Sequence, residues 1–122
     1  MSRMLLSIKP EYVDKILTGT KKYEFRKFHC REDVDTIVIY ATAPVKQVVA
    51  EAPIVSVIDD SVDEVWKQTN PNGGITEKAF KEYYKDKHNA IAYQLGEVKT
   101  YANPVALSKM GLSYVPQSFA YI

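Results

Sequence analysis

At 122 residues, with 46% apolar and 25% charged side chains, the chain is long enough for one well-buried core and too short for two. A formal net charge of +1 argues against a generally basic protein. No apolar run approaches bilayer-spanning length, and Met4-Leu5-Leu6 is too short for the hydrophobic segment of a signal peptide, so a cytoplasmic protein is expected.

The alternation of Met4 to Ile8 predicts a first strand, closed by Lys9-Pro10. Proline stands there at a helix's first position, where its missing N–H costs nothing. The predicted helix places Tyr12, Val13, Ile16 and Leu17 on one face, spaces Glu11 and Lys15 for pairing on the other, and stops at Gly19. The chain then enters Lys21-Lys22-Tyr23-Glu24-Phe25-Arg26, where alternation sends Tyr23 and Phe25 to a core face and Lys22, Glu24 and Arg26 to a charged one. Lys21, at the turn, is free to reach the side of Glu24. A carboxylate between two cations can hold a guanidinium fork ready for a phosphate, a carboxylate or a base edge, and it can equally be an exposed ion pair.

Phe28 to Asp35 reads as a loop, and Thr36 to Ala41 as a central strand buried on both faces. After the break at Thr42-Ala43-Pro44, a long strand from Gln47 to Ile58 carries Glu51 and Pro53, which predict an edge, bulge or bend. Ser61 and Glu64 have capping-box spacing ahead of a helix whose stripe is Val62, Val65 and Trp66, ending before Asn70-Pro71. Asn72-Gly73-Gly74 reads as a flexible connection. Thr76 caps a second helix with Ile75 and Phe80 as a staple and Phe80, Tyr83 and Tyr84 as its buried stripe. Ile91, Tyr93 and Leu95 alternate as a strand, Gly96 turns, and Val98 to Tyr101 continues. The tail from Val115 to Ile122 is too aromatic to be left loose and is expected to dock on the sheet. The fold class is therefore α+β, one domain over 1–122, with a mixed sheet or small barrel and about three helices.

Charge is unevenly placed. Residues 1–31 carry eight Lys or Arg against three acids, a balance of +5, whereas residues 32–75 carry two against eight, a balance of −6. Such polarity can draw an anion to one side of the molecule. Cys30 is the single cysteine, so no internal disulfide or cysteine-built zinc cluster exists, and His29 and His88 have no partners at ligand spacing. No metal or other cofactor is expected.

Four segments, Ser7-Ile8-Lys9-Pro10, Gly19-Thr20-Lys21-Lys22-Tyr23-Glu24-Phe25-Arg26, Ile39-Tyr40-Ala41-Thr42-Ala43-Pro44 and Pro116-Gln117-Ser118-Phe119, together resemble the ASCH domain family of PUA-like folds. The resemblance runs from about Met4 to the last residue, and its strongest part is Gly-x-Lys-x-x-Glu-x-Arg after a helix. It implies a small β-barrel flanked by helices, with a cleft into which that motif points, and RNA binding in coactivators and other regulators of transcription or translation. The residues so implied for RNA or a nucleotide-like ligand are Lys9, Lys21, Lys22, Glu24, Arg26, Tyr40, Thr42 and Gln117. Two enzymatic branches of the family are alternatives. One hydrolyses the amide of acetylated cytidine; Lys21 matches its lysine, but Glu24 stands where that branch has its threonine nucleophile, and a carboxylate cannot replace it. The other resembles a ribonuclease, with Lys9, Lys21 and Arg26 on the phosphate and Glu24 or Tyr40 moving a proton. In either case Lys21 and Glu24 are the catalytic candidates. A Tyr-rich protein-interaction module is the third reading.

Overall fold

A computed structural model describes residues 2–122. Seven strands and three helices follow one another as β1 (Ser2–Ile8), α1 (Pro10–Leu17), β2 (Tyr23–Arg26), β3 (Val34–Ala41), β4 (Gln47–Ser61), α2 (Val62–Thr69), α3 (Glu77–Tyr83), β5 (Asn89–Leu95), β6 (Lys99–Val105) and β7 (Phe119–Tyr121), with a 3₁₀ turn at Leu107–Met110. This is the α+β class with a mixed sheet that the sequence predicts. The strand order is β2-β5-β4-β3-β1-β7, with β6 also pairing with β4. Only β1 and β3 run parallel among these pairs, in register from Arg3↔Thr36 to Ile8↔Ala41.

Local signals explain most elements. Pro10 opens α1, Val13 and Ile16 are its buried residues, and Gly19 beyond it has φ +86°. The Ser61 hydroxyl accepts from the Glu64 N–H at 3.2 Å and the Thr76 hydroxyl from the Ala79 N–H at 3.1 Å, so both predicted caps form. Glu11 and Lys15 differ from expectation: the Lys15 ammonium lies 5.7 Å from the centre of the Tyr12 ring and donates to the Gly74 carbonyl at 3.2 Å.

The long strand β4 is not interrupted at Pro53. Its first part pairs with β3 as far as Pro53↔Thr36, and its second part pairs with β5 from Ile54↔Leu95 to Ser61↔Asn89, with the register shifting between Ile54 and Ser56. Pro53 therefore stands where the strand changes partners, a place where a missing N–H is tolerated and a bend is needed.

Curling of the sheet brings its two ends together. One core cluster fills the inside with Met4, Leu6, Ile8, Ile37, Ile39, Tyr93 and Leu95 among others. A second packs Phe25, Ala90 and Ala92 beneath Val65, Phe80 and Tyr84 of the helical layer. A third lies on the outer side of β1, β3 and β4, where Leu5, Val38, Tyr40 and Val48 are covered by Tyr101, Val105, Leu107, Met110, Leu112 and Ile122. The tail docks as expected, through Met4↔Tyr121 and Leu6↔Phe119. Phe119 then stacks on Phe28 at 4.2 Å, closing β7 against the segment that follows β2.

Candidate functional site

The ladder between β2 and β5 decides where the charged row points. Glu24 lies opposite Tyr93 and Arg26 opposite Ile91, both of the inner cluster, whereas Phe25 lies opposite Ala92 of the helical layer. Paired residues share a face. Glu24 and Arg26 thus point inward at the mouth of the barrel, and the row is no exposed surface pair: Lys21 is 3% exposed, Glu24 6% and Arg26 9%.

Above them opens a cleft of about 420 Å³. One wall is Ser7, Ile8, Lys9 and Tyr12 from the β1–α1 junction, the floor is Lys21, Glu24, Phe25 and Arg26, and the far wall is Ile75, Ala79, Glu82 and Tyr83 on and before α3. Lys21 joins Glu24 across the turn, as its position allows, with Nζ 3.7 Å from Oε1. Its ammonium donates to the Gly73 carbonyl at 2.8 Å and lies 4.7 Å from the centre of the Phe25 ring and 5.3 Å from that of Tyr12. Burial lowers the Lys21 pKa below its ordinary value against the pull of Glu24, and Lys15 and Arg26 add to the lowering. Burial also raises the phenols of Tyr12 and Tyr83, so both walls are neutral hydroxyls over the working range of pH.

Arg26 is held on every side. Nε and Nη2 donate to Glu24 Oε2 at 3.1 and 2.8 Å, Nη2 also to the Ser7 carbonyl at 2.9 Å, and Nη1 to the Ser118 carbonyl and hydroxyl at 3.4 and 3.2 Å. Ser7 completes the junction, its N–H donating to the Ser118 carbonyl at 3.0 Å and its hydroxyl to the Pro116 carbonyl at 2.7 Å.

The Asn72–Gly74 connection, read from sequence as flexible, is pinned over the same floor. The Asn72 carbonyl accepts from the Lys22 N–H, that of Gly73 from the Lys21 ammonium and that of Gly74 from Lys15. Glycine is required because a Cβ on Gly74, at φ +67°, would stand 2.6 Å from Lys21 Cβ.

Of the residues expected at the site, the fold brings Lys9, Lys21, Glu24 and Arg26 together. Lys22 is exposed and borders a second groove with Leu95, Gly96 and Val98, which Lys21 also lines. Tyr40 is buried in the outer cluster with Val38, on the face of β3 opposite Ile39 and Ala41. Thr42 is half-buried, its N–H on the Ile8 carbonyl at 3.0 Å, and Gln117 is exposed between the two residues that bind Ser7. Sequence reasoning missed Tyr12, Glu82, Tyr83 and Ser118. Tyr83 was assigned to the buried stripe of its helix, but it is 37% exposed and carries the Lys27 ammonium 4.6 Å from its ring centre.

Among known proteins, the family described as Domain of unknown function (DUF365) matches residues 4–116. The large ribosomal subunit protein uL22 of Ureaplasma parvum is 29% identical over 86 residues, which are 70% of this chain and 28% of that protein. An ASCH domain-containing ribonuclease of Zymomonas mobilis is 28% identical over 92 residues, 75% of this chain and 62% of that one. The chain thus spans less than two thirds of each of these relatives. The crystal structure of ASCH from Zymomonas mobilis superposes with a TM-score of 0.88 at 25% identity, covering 98% of this chain and 87% of that one. The barrel and the helical layer over it are accordingly those of an ASCH domain, and the chain belongs to the DUF365 family.

Proposed function

We propose that this ASCH domain binds single-stranded RNA by taking one nucleotide into the cleft, with the base on the floor and phosphate at the rim. The observation that carries this reading is the buried pair of Lys21 and Glu24 Oε1, 3.7 Å apart and open to a cleft with tyrosines on two walls. An ammonium with unused N–H groups beside a carboxylate oxygen is a donor next to an acceptor, which suits the edge of a nucleobase. A phosphate set against Lys21 would also meet the Glu24 charge, so the phosphate is better placed at Lys9, exposed on the rim. Tyr12 and Tyr83 supply faces on which a flat ring can stack. The likeness to a protein named as a ribonuclease supports RNA as the polymer.

Cleavage is the second reading, favoured by that name and by the lowered pKa of Lys21 beside a carboxylate, a pair suited to proton transfer. One experiment covers both: anisotropy of a labelled single-stranded RNA over a range of salt, with a denaturing gel of the same samples. Binding is expected to saturate and weaken with salt. Lys9→Ala should lower the slope of log affinity on log salt by about 0.7, the value of one phosphate contact on a single strand, and Lys22→Ala should leave it unchanged. RNA that the wild-type protein shortens and that Lys21→Ala leaves whole would establish cleavage. A wild-type protein that neither binds nor cleaves any single strand would refute the proposal.

A further inference from the structure

We propose that Arg26 is a positioning residue: it aims the Glu24 carboxylate at Lys21 and makes that aim depend on the join between the two ends of the sheet, rather than meeting the ligand itself. The inference rests on the reading of the cleft as an RNA site, and it assigns Arg26 a role different from the phosphate or base fork that its motif suggests.

A guanidinium has five N–H donors. At Arg26 five hydrogen bonds use them: two on Glu24 Oε2, one on the Ser7 carbonyl, and two on the carbonyl and hydroxyl of Ser118. A ligand could take a donor only by displacing one of these bonds. The two bonds to Glu24 converge on one oxygen, Oε2, and so leave Oε1 as the atom that faces Lys21. The other three reach across the gap between β2, at one end of the strand order, and β1 with β7, at the other. Closure of the barrel and orientation of the carboxylate are therefore held by one planar group. Lysine, a single point of charge with no fork, cannot do both.

A residue that acts through another gives non-additive effects with it, so the test is a double-mutant cycle with Glu24→Gln and Arg26→Lys. RNA affinity is read by anisotropy on variants whose cooperative unfolding is confirmed. Arg26→Lys alone is expected to weaken binding about tenfold, within the range of measured couplings, and to weaken it no further in the Glu24→Gln background. Additive losses would overturn the proposal, because Arg26 would then have a contact of its own. The Lys21 side chain gives a second readout that needs no ligand, its titration followed by NMR of ¹³C-labelled lysine. Its neighbours are Glu24, Lys15, Arg26 and the Tyr12 ring. Arg26→Lys, by releasing the carboxylate from its aim at Lys21, weakens the pull of Glu24 and should lower the titration midpoint, and should leave it unmoved once Glu24 is glutamine. If wild-type protein binds no RNA, the RNA reading fails and this cycle still judges the positioning role. An unmoved midpoint in Arg26→Lys refutes it. Should Arg26→Lys not fold, Ser118→Ala, which removes one acceptor of the guanidinium and leaves Glu24 in place, is expected to move the midpoint in the same direction by less, and no movement would overturn the claim.

Discussion

Replacing Gly74 by alanine separates two costs that usually come together. The residue has φ +67°, and a Cβ there would lie 2.6 Å from Lys21 Cβ, 2.8 Å from Cγ and 3.2 Å from Cα. The left-handed backbone alone costs an L-residue about 1–2 kcal/mol. Carbon atoms rest about 3.5–4.0 Å apart, so roughly 1 Å of movement is also demanded. The obstructing atoms are the root of Lys21 rather than its free end, and overpacking of that kind costs about 1–3 kcal/mol. Together these predict a loss of roughly 2–5 kcal/mol. Gly19 is the control: at φ +86° a Cβ meets nothing within 4 Å, so Gly19→Ala should lose only the backbone part, about 1–2 kcal/mol. Urea unfolding of both variants with unchanged m-values measures the difference. Equal losses would refute the packing of this loop on the stem of Lys21. A loss near 3 kcal/mol for Gly74→Ala should come with weakened RNA binding, since the Gly73 carbonyl that holds the Lys21 ammonium must shift with its neighbour.

Two further outcomes follow from the same geometry. Because the folded pKa of Lys21 lies below the unfolded value of 10.5, the unfolded chain binds more protons between the two, and the cost of burying the charge fades as pH climbs through that window. Wild-type stability should therefore rise relative to Lys21→Met between neutral pH and about pH 10, read as the difference of urea midpoints, and a constant difference would contradict the burial of a charged Lys21. Tyr84, 2% exposed, donates its hydroxyl to the Arg26 carbonyl at 2.7 Å with the Ile91 carbonyl at 3.2 Å, and burial raises its pKa strongly. Tyr84→Phe should cost about 1–2 kcal/mol by leaving buried carbonyls without that donor, and a neutral effect in urea unfolding would show the bond to be unimportant.

Much of the fold is legible because its signals are local. Pro10 and Gly19 each act at one end of α1, and Thr76 with the Ile75 and Phe80 staple acts within one turn of helix, as their spacing predicts; of the Ser61 and Glu64 capping box only the Ser61 half forms, because the Ser61 N–H donates to Asp60 and the Glu64 carboxylate accepts from Gln68. The run of Thr36 to Ala41 shows its burial on both faces in composition alone. What escaped depends on partners distant in the chain. Alternation puts Glu24 and Arg26 on one face of β2, but only the register against Tyr93 and Ile91 says that this face is the inner one. Tyr40 entered the expected site through family resemblance, yet strand parity sets it with Val38, away from Ile39. Tyr83 and Tyr84 are adjacent on a helix whose stripe could include either, and the hydroxyl bond of Tyr84 to Arg26 decides which is core. The grip of Ser118 on Arg26 has no local trace at all.

The separation of those two partners, 92 residues, and of Ser7 from Pro116, 109 residues, also bears on how the protein is made. Contacts this distant in sequence are slow to form, because the chain must lose loop entropy before any of them rewards it. During synthesis Arg26 emerges well before Ser118, so β2 and the floor of the cleft wait with their guanidinium incompletely bonded until the end of the sheet arrives. The cleft is thus among the last parts of this domain to mature, and its completion reports that the barrel has closed.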